Sequence, residues 1–346
     1  MSTKTNNWLI GAVIGAGILG AVTTFRKNAR RFDFAGKVVL ITGGSRGLGL
    51  VLARELASEG ARIAICARNT EELERAEKEL QATGAEVYAS VCDVRDQTAA
   101  ERLIGEVSAR FGNIDVLINN AGVIQVGPLE EQTQKDFEDA LAIHFWAPFY
   151  MIQAVLPQMR ERGAGRIVNV SSIGGKVAVP HLAPYCASKF ALVGLSNALR
   201  AELAKDNIFV TTVCPGLMRT GSHVNAEFKG QNEKEFAWFS IGNALPFSSV
   251  SAESAARQII KAVERGDAEK IISIQAQTLA KMNALLPETT AEITALVNEI
   301  LPAAGGIGKR LLKGKDSDSW ISPSVLTALA DNQISKNNED SAETSK

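Results

Sequence analysis

The chain has 346 residues, 46% apolar and 22% charged, with a net charge of −1. That length buries one large core or two modest ones, and the charge leaves no basic surplus for nucleic acid. Cys66, Cys92, Cys186 and Cys214 are far apart, and His144, His181 and His223 fall in no ligand spacing. Both facts argue against a disulfide framework or a resident metal, and the cysteines suit a reducing compartment.

Two glycine-rich stretches open the chain. The first, GAVIGAGILG at 11–20, holds Gly15, Gly17 and Gly20 in a G-x-G-x-x-G spacing. A dinucleotide turn needs a helix and then a second strand after it, yet Arg26, Lys27, Arg30 and Arg31 arrive before any such strand. Trp8 to Phe25 is instead an uncharged, mostly apolar run of the length a membrane-spanning helix requires, about 17–25 residues. Trp8 and Phe25 stand where interfacial aromatics sit, and Gly11, Gly15, Ala16 and Gly20 have small-residue spacing. The cations follow the apolar run, the reverse of a secretory leader. Residues 1–31 are therefore expected to be an uncleaved single-pass anchor, with the following domain facing the cytoplasm; a peripheral or buried segment is the alternative.

The second stretch, VLITGGSRGLGL at 39–50, has the required context. Lys37 to Thr42 reads as a strand, Leu48 to Glu59 as a helix stopped by Gly60, and Arg62 to Ala67 as a second strand. Helices follow at Thr70–Thr83, Thr98–Phe111, Lys135–Met159 and Pro184–Lys205. They alternate with strands at Glu86–Cys92, Asp115–Asn119, Arg166–Ser171 and Ile208–Cys214. This alternation predicts an α/β domain over 32–275, built on a doubly wound parallel sheet covered on both faces. Ser251–Arg265 and Thr289–Leu301 are helix-like, and 276–330 is expected to be a helical extension. Gly305 to Lys315 suits a linker better than a membrane-surface segment, and 331–346, almost wholly polar, is expected to be disordered.

Several motifs occur in order within this domain: Thr42-Gly-Gly-Ser-Arg-Gly-Leu-Gly49, Asp93-Val94, Asn119-Asn-Ala-Gly122, Ser172, Tyr185-Cys-Ala-Ser-Lys189 and Pro215-Gly216. On these the chain resembles the short-chain dehydrogenase/reductase family from residue 36 to about 275. The resemblance implies a Rossmann fold and transfer of a hydride between a nicotinamide cofactor and a carbonyl/alcohol pair. It also implies roles: Tyr185 as acid/base, Lys189 as its partner and Ser172 as orienter of the carbonyl. The chemistry agrees. Tyr185 has an ordinary pKa near 10 and donates a proton readily, while Lys189, one helical turn on, is placed to lower that pKa. Ser171 competes with Ser172 by sequence, and the spacing favours Ser172.

Cofactor residues carry over from the resemblance in the same way. Gly43, Ser45, Arg46, Gly47, Leu48 and Gly49 form the phosphate turn, and Asp93 and Val94 border the adenine. Asn120, Ala121 and Gly122 line the floor, while Pro215, Gly216, Leu217 and Thr220 border the carboxamide and phosphate side. NAD-preferring relatives end the second strand with an acid; this chain has Ala67, then Arg68. Arg68 and Arg46, with no carboxylate at the end of that strand, predict NADP(H). His144 replaces an asparagine the family usually has, and packing, proton relay and substrate contact are all open for it.

His181, Leu182 and Trp238 are expected to face the substrate, although the Phe236-Ala-Trp238-Phe239 stretch reads equally as core cover. An anchor on a reductase points to a lipophilic carbonyl substrate. The competing expectation is a non-catalytic NADP(H)-binding membrane sensor or assembly protein. Homo-oligomers are common in the resembled family, and one is expected here.

Overall fold

In a computed structural model the described residues are 31–244, 249–317 and 327–340. The expected anchor, 1–31, lies outside them except for Arg31, whose guanidinium reaches Glu264 at 3.3 Å.

The strands β1 (Val38–Thr42), β2 (Arg62–Ala67), β3 (Val87–Val91), β4 (Val116–Asn119), β6 (Gly165–Val170), β7 (Ile208–Pro215) and β11 (Glu269–Ile272) form one sheet. Its order is β11-β7-β6-β4-β1-β2-β3, and every pair is parallel. All five residues of β1 are buried, because side chains alternate between two covered faces. Val39 and Ile41 join the core under α1 (Gly47–Ser58) and α8 (Ala252–Arg265). Val38 and Leu40 join the opposite core, under α3 (Gln97–Phe111) and α5 (Ala147–Arg162). The doubly wound parallel sheet expected from the alternation is present. Its edge strand β11 is not among the strands the alternation predicts, since Glu269 and Lys270 make half of it polar.

The helix α2 (Thr70–Ala82) is capped by Asn69, whose side chain accepts from the Glu72 amide. A long helical stretch runs from α4 (Gln134–Leu141) through a π turn at Ala142–Trp146 into α5. Among the described residues, this 134–162 stretch is the one helix long and apolar enough to cross a membrane. Its residues Met151, Ile152, Val155 and Met159 are spent on the domain core. The helix α6 (Ala183–Glu202) follows β6 and carries Tyr185 and Lys189.

The small strands β5 (Gln125–Val126), β8 (Leu217–Arg219), β9 (Glu227–Phe228), β10 (Ser249–Ser251) and β12 (Leu312–Lys313) build the rim with α7 (Asn232–Ala244). Residues 305–315 are not a linker. Gly230 and Gly308 are joined by a 2.9 Å backbone bond, and β12 pairs antiparallel with β9. The apolar residues that alternate with glycine and lysine there fit a strand edge, which composition alone concealed.

Of the expected extension, 276–330, the first part is helical, as α9 (Ile274–Leu285) and α10 (Pro287–Ile300), and 301–317 consists of turns and β12. Ile293, Leu296, Val297 and Ile300 form an exposed stripe on α10. Beyond it the tail departs from expectation. Residues 327–340 include a short helix, α11 (Ala328–Asp331), and lie against the domain, with Asn337 and Glu339 buried. Polar composition argues for disorder only when polar groups lack partners, and here the domain supplies them. Residues 341–346 lie outside the described ones.

Candidate active site

The chain turns back at β1: β2 and β3 lie to one side of it, and β4, β6, β7 and β11 to the other. A crevice opens at such a switch point, at the carboxyl ends of the strands. Here Thr42 ends β1 opposite Asn119 of β4. The Thr42 hydroxyl accepts the amides of Asn120 (3.0 Å) and Ala121 (3.1 Å). In return, Asn120 Nδ2 donates to the carbonyls of Thr42 and Gly43, both at 3.1 Å. These bonds tie the glycine turn to the β4 loop. At Gly49 a Cβ would lie 2.1 Å from the Gly43 carbonyl oxygen, so only glycine lets α1 start this close to the turn. The first turn of α1 holds no acid, and its N-cap, Arg46, makes no side-chain cap bond. Its leading amides therefore face the crevice with the positive end of the helix dipole.

The crevice has a volume of about 600 Å³. Every cofactor residue expected from the sequence borders it except Gly49, which sits behind the turn. Ser172, Tyr185, Lys189 and His144 border it too, as do Leu182 and Trp238. His181 does not. Its φ is +63°, and its Nδ1 lies 2.8 Å from Glu235 Oε1, so the ring is turned away from the crevice. Glu235 is fully buried and also accepts from Trp238 Nε1 at 2.7 Å. No local signal in the sequence marks it.

Strand β6 and helix α6 bring the chemical residues together. Lys189 Nζ donates to the Val170 carbonyl at 2.9 Å, which fixes the lysine against the end of β6. Ser171 Oγ donates to the Lys189 carbonyl at 3.0 Å, so that hydroxyl is spent on the helix. Ser172 is the serine that draws the Tyr185 pKa down, and its Oγ accepts the Gly174 amide at 3.0 Å. Burial pushes the Tyr185 phenol up to about 12, against the opposing pull of Ser172. That is opposite to the lowering expected from Lys189. The lysine is itself buried, which brings its ammonium down to about 7 and weakens its hold on the phenol. Its Nζ lies 5.6 Å from the centre of the Tyr185 ring.

His144 sits in the π turn, 2% exposed. Its Nε2 accepts the Val123 amide at 3.2 Å, so the proton is on Nδ1, which lies 2.8 Å from Ser188 Oγ. Ser188 in turn donates to the Tyr185 carbonyl at 2.8 Å. Burial, followed by the charge of Lys189, holds the imidazole well below its usual range. Both ring nitrogens are engaged and the ring stays neutral, an arrangement that favours the packing reading over a relay titrating near pH 6.5.

At the far end, two carboxylates stand beside Arg46. Glu72 reaches its Nη1 at 3.1 Å and Ser45 Oγ at 3.4 Å, and Glu339 reaches its Nε at 3.5 Å. Arg68 is exposed at the rim. The Asp93 carboxyl is held below its usual range by hydrogen bonds from Arg95. Glu72, Glu339, Asn225 and Phe239 also line the crevice, and none carries a motif.

A switch-point crevice with a glycine turn at one end and a Ser-Tyr-Lys group at the other defines a dinucleotide-dependent oxidoreductase. Residues 37–230 match the short chain dehydrogenase family, and the chain belongs to it as an NAD(P)-dependent oxidoreductase. A tropinone reductase homolog of Arabidopsis thaliana is 38% identical over 224 residues, 64% of this chain and 84% of the relative. Gluconate 5-dehydrogenase of Gluconobacter oxydans is 37% identical over 189 residues, 55% of this chain and 74% of that enzyme. Among solved structures, a variant actinorhodin polyketide ketoreductase with NADPH is 33% identical, at a TM-score of 0.62. That match covers 70% of this chain and 97% of the other.

Proposed function

We propose that the chain is an NADP(H)-dependent reductase of a lipophilic ketone or aldehyde, held at a membrane by its N-terminal segment. The observation that carries this reading is the placement of Ser172, Tyr185 and Lys189 on one wall of the crevice that the glycine turn closes. The crevice fits a dinucleotide: the close approach at Gly49 leaves amides of α1 facing an anion, and Arg46 stands beside them. The turn and Arg46 would hold the phosphates, Arg68 a 2′-phosphate and the Asn120–Gly122 segment the nicotinamide end. When bound, the cofactor supplies the hydride for carbonyl reduction.

The protein's own part is proton delivery and orientation. Ser172 donates a hydrogen bond to the carbonyl oxygen, stabilising negative charge as it develops. Tyr185, protonated at neutral pH, gives its phenolic proton to the same oxygen. Lys189, in its ammonium form, stabilises the phenolate that remains. Leu182, Trp238 and Phe239 form an apolar wall for the rest of the substrate.

Relatives named for tropinone, gluconate and polyketide substrates indicate that the scaffold does not choose the substrate. The lipophilic choice is supported by this apolar wall and by the run from Trp8 to Phe25. NADP(H) is supported by Arg46, Arg68 and the NADPH-bound neighbour. The test is NADPH and NADH oxidation by the full chain with a panel of ketones, aldehydes and sugar acids, beside Tyr185→Phe. Turnover with NADPH and apolar carbonyls that falls about 10²–10⁴-fold in the variant is expected. Equal turnover in the variant would remove Tyr185 from the reaction.

A further inference from the structure

The C-terminal residues are held by an unusual density of polar contacts for so polar a segment. Arg54 donates to the Asn337 side chain at 3.1 Å and to the Lys336 carbonyl at 2.8 Å. Asn337 Nδ2 donates to the Thr220 carbonyl at 3.1 Å. Asn338 Nδ2 donates to the carbonyls of Ser45 and Glu72, both at 2.8 Å, while Arg75 donates to its oxygen at 2.6 Å. Of these anchors Ser45, Glu72 and Thr220 line the crevice, while Arg54 and Arg75 hold the segment from α1 and α2.

Glu339 goes further in. It is 3% exposed, and Asn225 Nδ2 donates to its carboxylate at 2.7 Å and to its carbonyl at 3.0 Å. A Cβ on Gly47, the first residue of α1, would lie 2.6 Å from Glu339 Oε1. The carboxylate thus stands in front of the helix N-terminus, beside Arg46, where a helix start and a guanidinium favour an anion.

We propose that residues 334–340 are a built-in competitor for the cofactor, with the Glu339 carboxylate holding the position at α1 that the cofactor's phosphates take. The proposal rests on the reading that the glycine turn holds those phosphates. Burial pushes the Glu339 carboxyl up to about 7 against the charge of Arg46; charged or not, it fills the space in front of Gly47, so binding of a phosphate there requires the tail to leave. The tail is suited to leaving. Its anchors are hydrogen bonds and the ion pairs of Lys336 with Glu253 and of Glu339 with Arg46, and no apolar side chain of 334–340 is fully buried. Segments with few apolar contacts open at low cost. A tail docked in about nine molecules of ten weakens apparent cofactor affinity about tenfold.

The experiment is NADPH titration of the full chain, its Asn338→Ala variant and its Glu339→Ala variant, with hydrogen exchange of the 334–340 segment followed in parallel. The expected result is about tenfold tighter NADPH binding by both variants, together with loss of protection at 334–340 in the wild type on NADPH addition. Equal affinities, or protection that persists or rises with NADPH, would make the tail a fixed wall or a clamp and overturn the proposal. Failure of all three proteins to bind NADPH or NADH, with the tail still protected, would overturn the cofactor reading first and the competition with it.

Discussion

His144 Nδ1 lies 2.8 Å from Ser188 Oγ, so the residue that replaces the family's usual asparagine is tied to the helix carrying Tyr185 and Lys189. The contact links the π turn to α6, and its other nitrogen is closed by Val123. His144→Asn should therefore leave the pH–rate profile without any change near pH 6.5. It should also lower stability by about 1–3 kcal/mol, since buried partners lose their bonds. A kinetic titration near pH 6.5 that vanishes in the variant would restore the relay reading.

Lys189 carries a sign that chemical denaturation can read. Burial depresses its folded pKa to about 7, below the ordinary 10.5 of the unfolded chain. The unfolded state then binds more protons across that window, so this residue destabilises most below pH 7 and not at all above about 10.5. Lys189→Met should gain stability relative to wild type at pH 6 and lose that advantage by pH 10. A constant difference over this range would mean that the ammonium is paired in the fold.

Glu235 joins His181 and Trp238 from a fully buried position. Glu235→Ala removes the acceptor for both rings and should cost about 2–4 kcal/mol, from two lost bonds to a buried group. In Trp238→Ala the core loses less, and KM for an apolar carbonyl should rise more than kcat falls. A change confined to kcat would place Trp238 outside the substrate wall.

Asp136 and Lys229 form a buried pair at 2.6 Å, joined by Gln125 and Thr133. Although burial opposes it, hydrogen bonds from Lys229, Gln125 and Thr133 bring the Asp136 carboxyl down to about 2, from the ordinary 3.8. Its contribution is present above pH 3.8 and is lost as pH falls towards 2. Asp136→Asn leaves Lys229 buried and unpaired, and should cost about 3–5 kcal/mol at pH 7. A melting curve displaced by less than a degree would count against this account.

The sheet and the chemical group were legible in the chain because both are written in local pattern. The strands at 38–42, 62–67 and 208–215 are short β-branched and apolar runs, and the glycine turn follows the first of them. Tyr185 and Lys189 share a helical face by spacing alone. Only the tertiary structure decided which serine hydroxyl meets Tyr185, since Ser171 and Ser172 differ merely in which side of a strand end they leave. It also decided that His181 turns to Glu235, that β11 completes the sheet, and that residues 305–315 pair with β9. The polar tail is the clearest case. Local composition predicts disorder, because it contains no core of its own. Yet Asn337, Asn338 and Glu339 find donors and acceptors on Arg54, Ser45 and Asn225, residues far away in sequence that the folded sheet brings within hydrogen-bond reach. Apolar burial can be read from periodicity, whereas the partner of a polar side chain is known only once the fold has placed both.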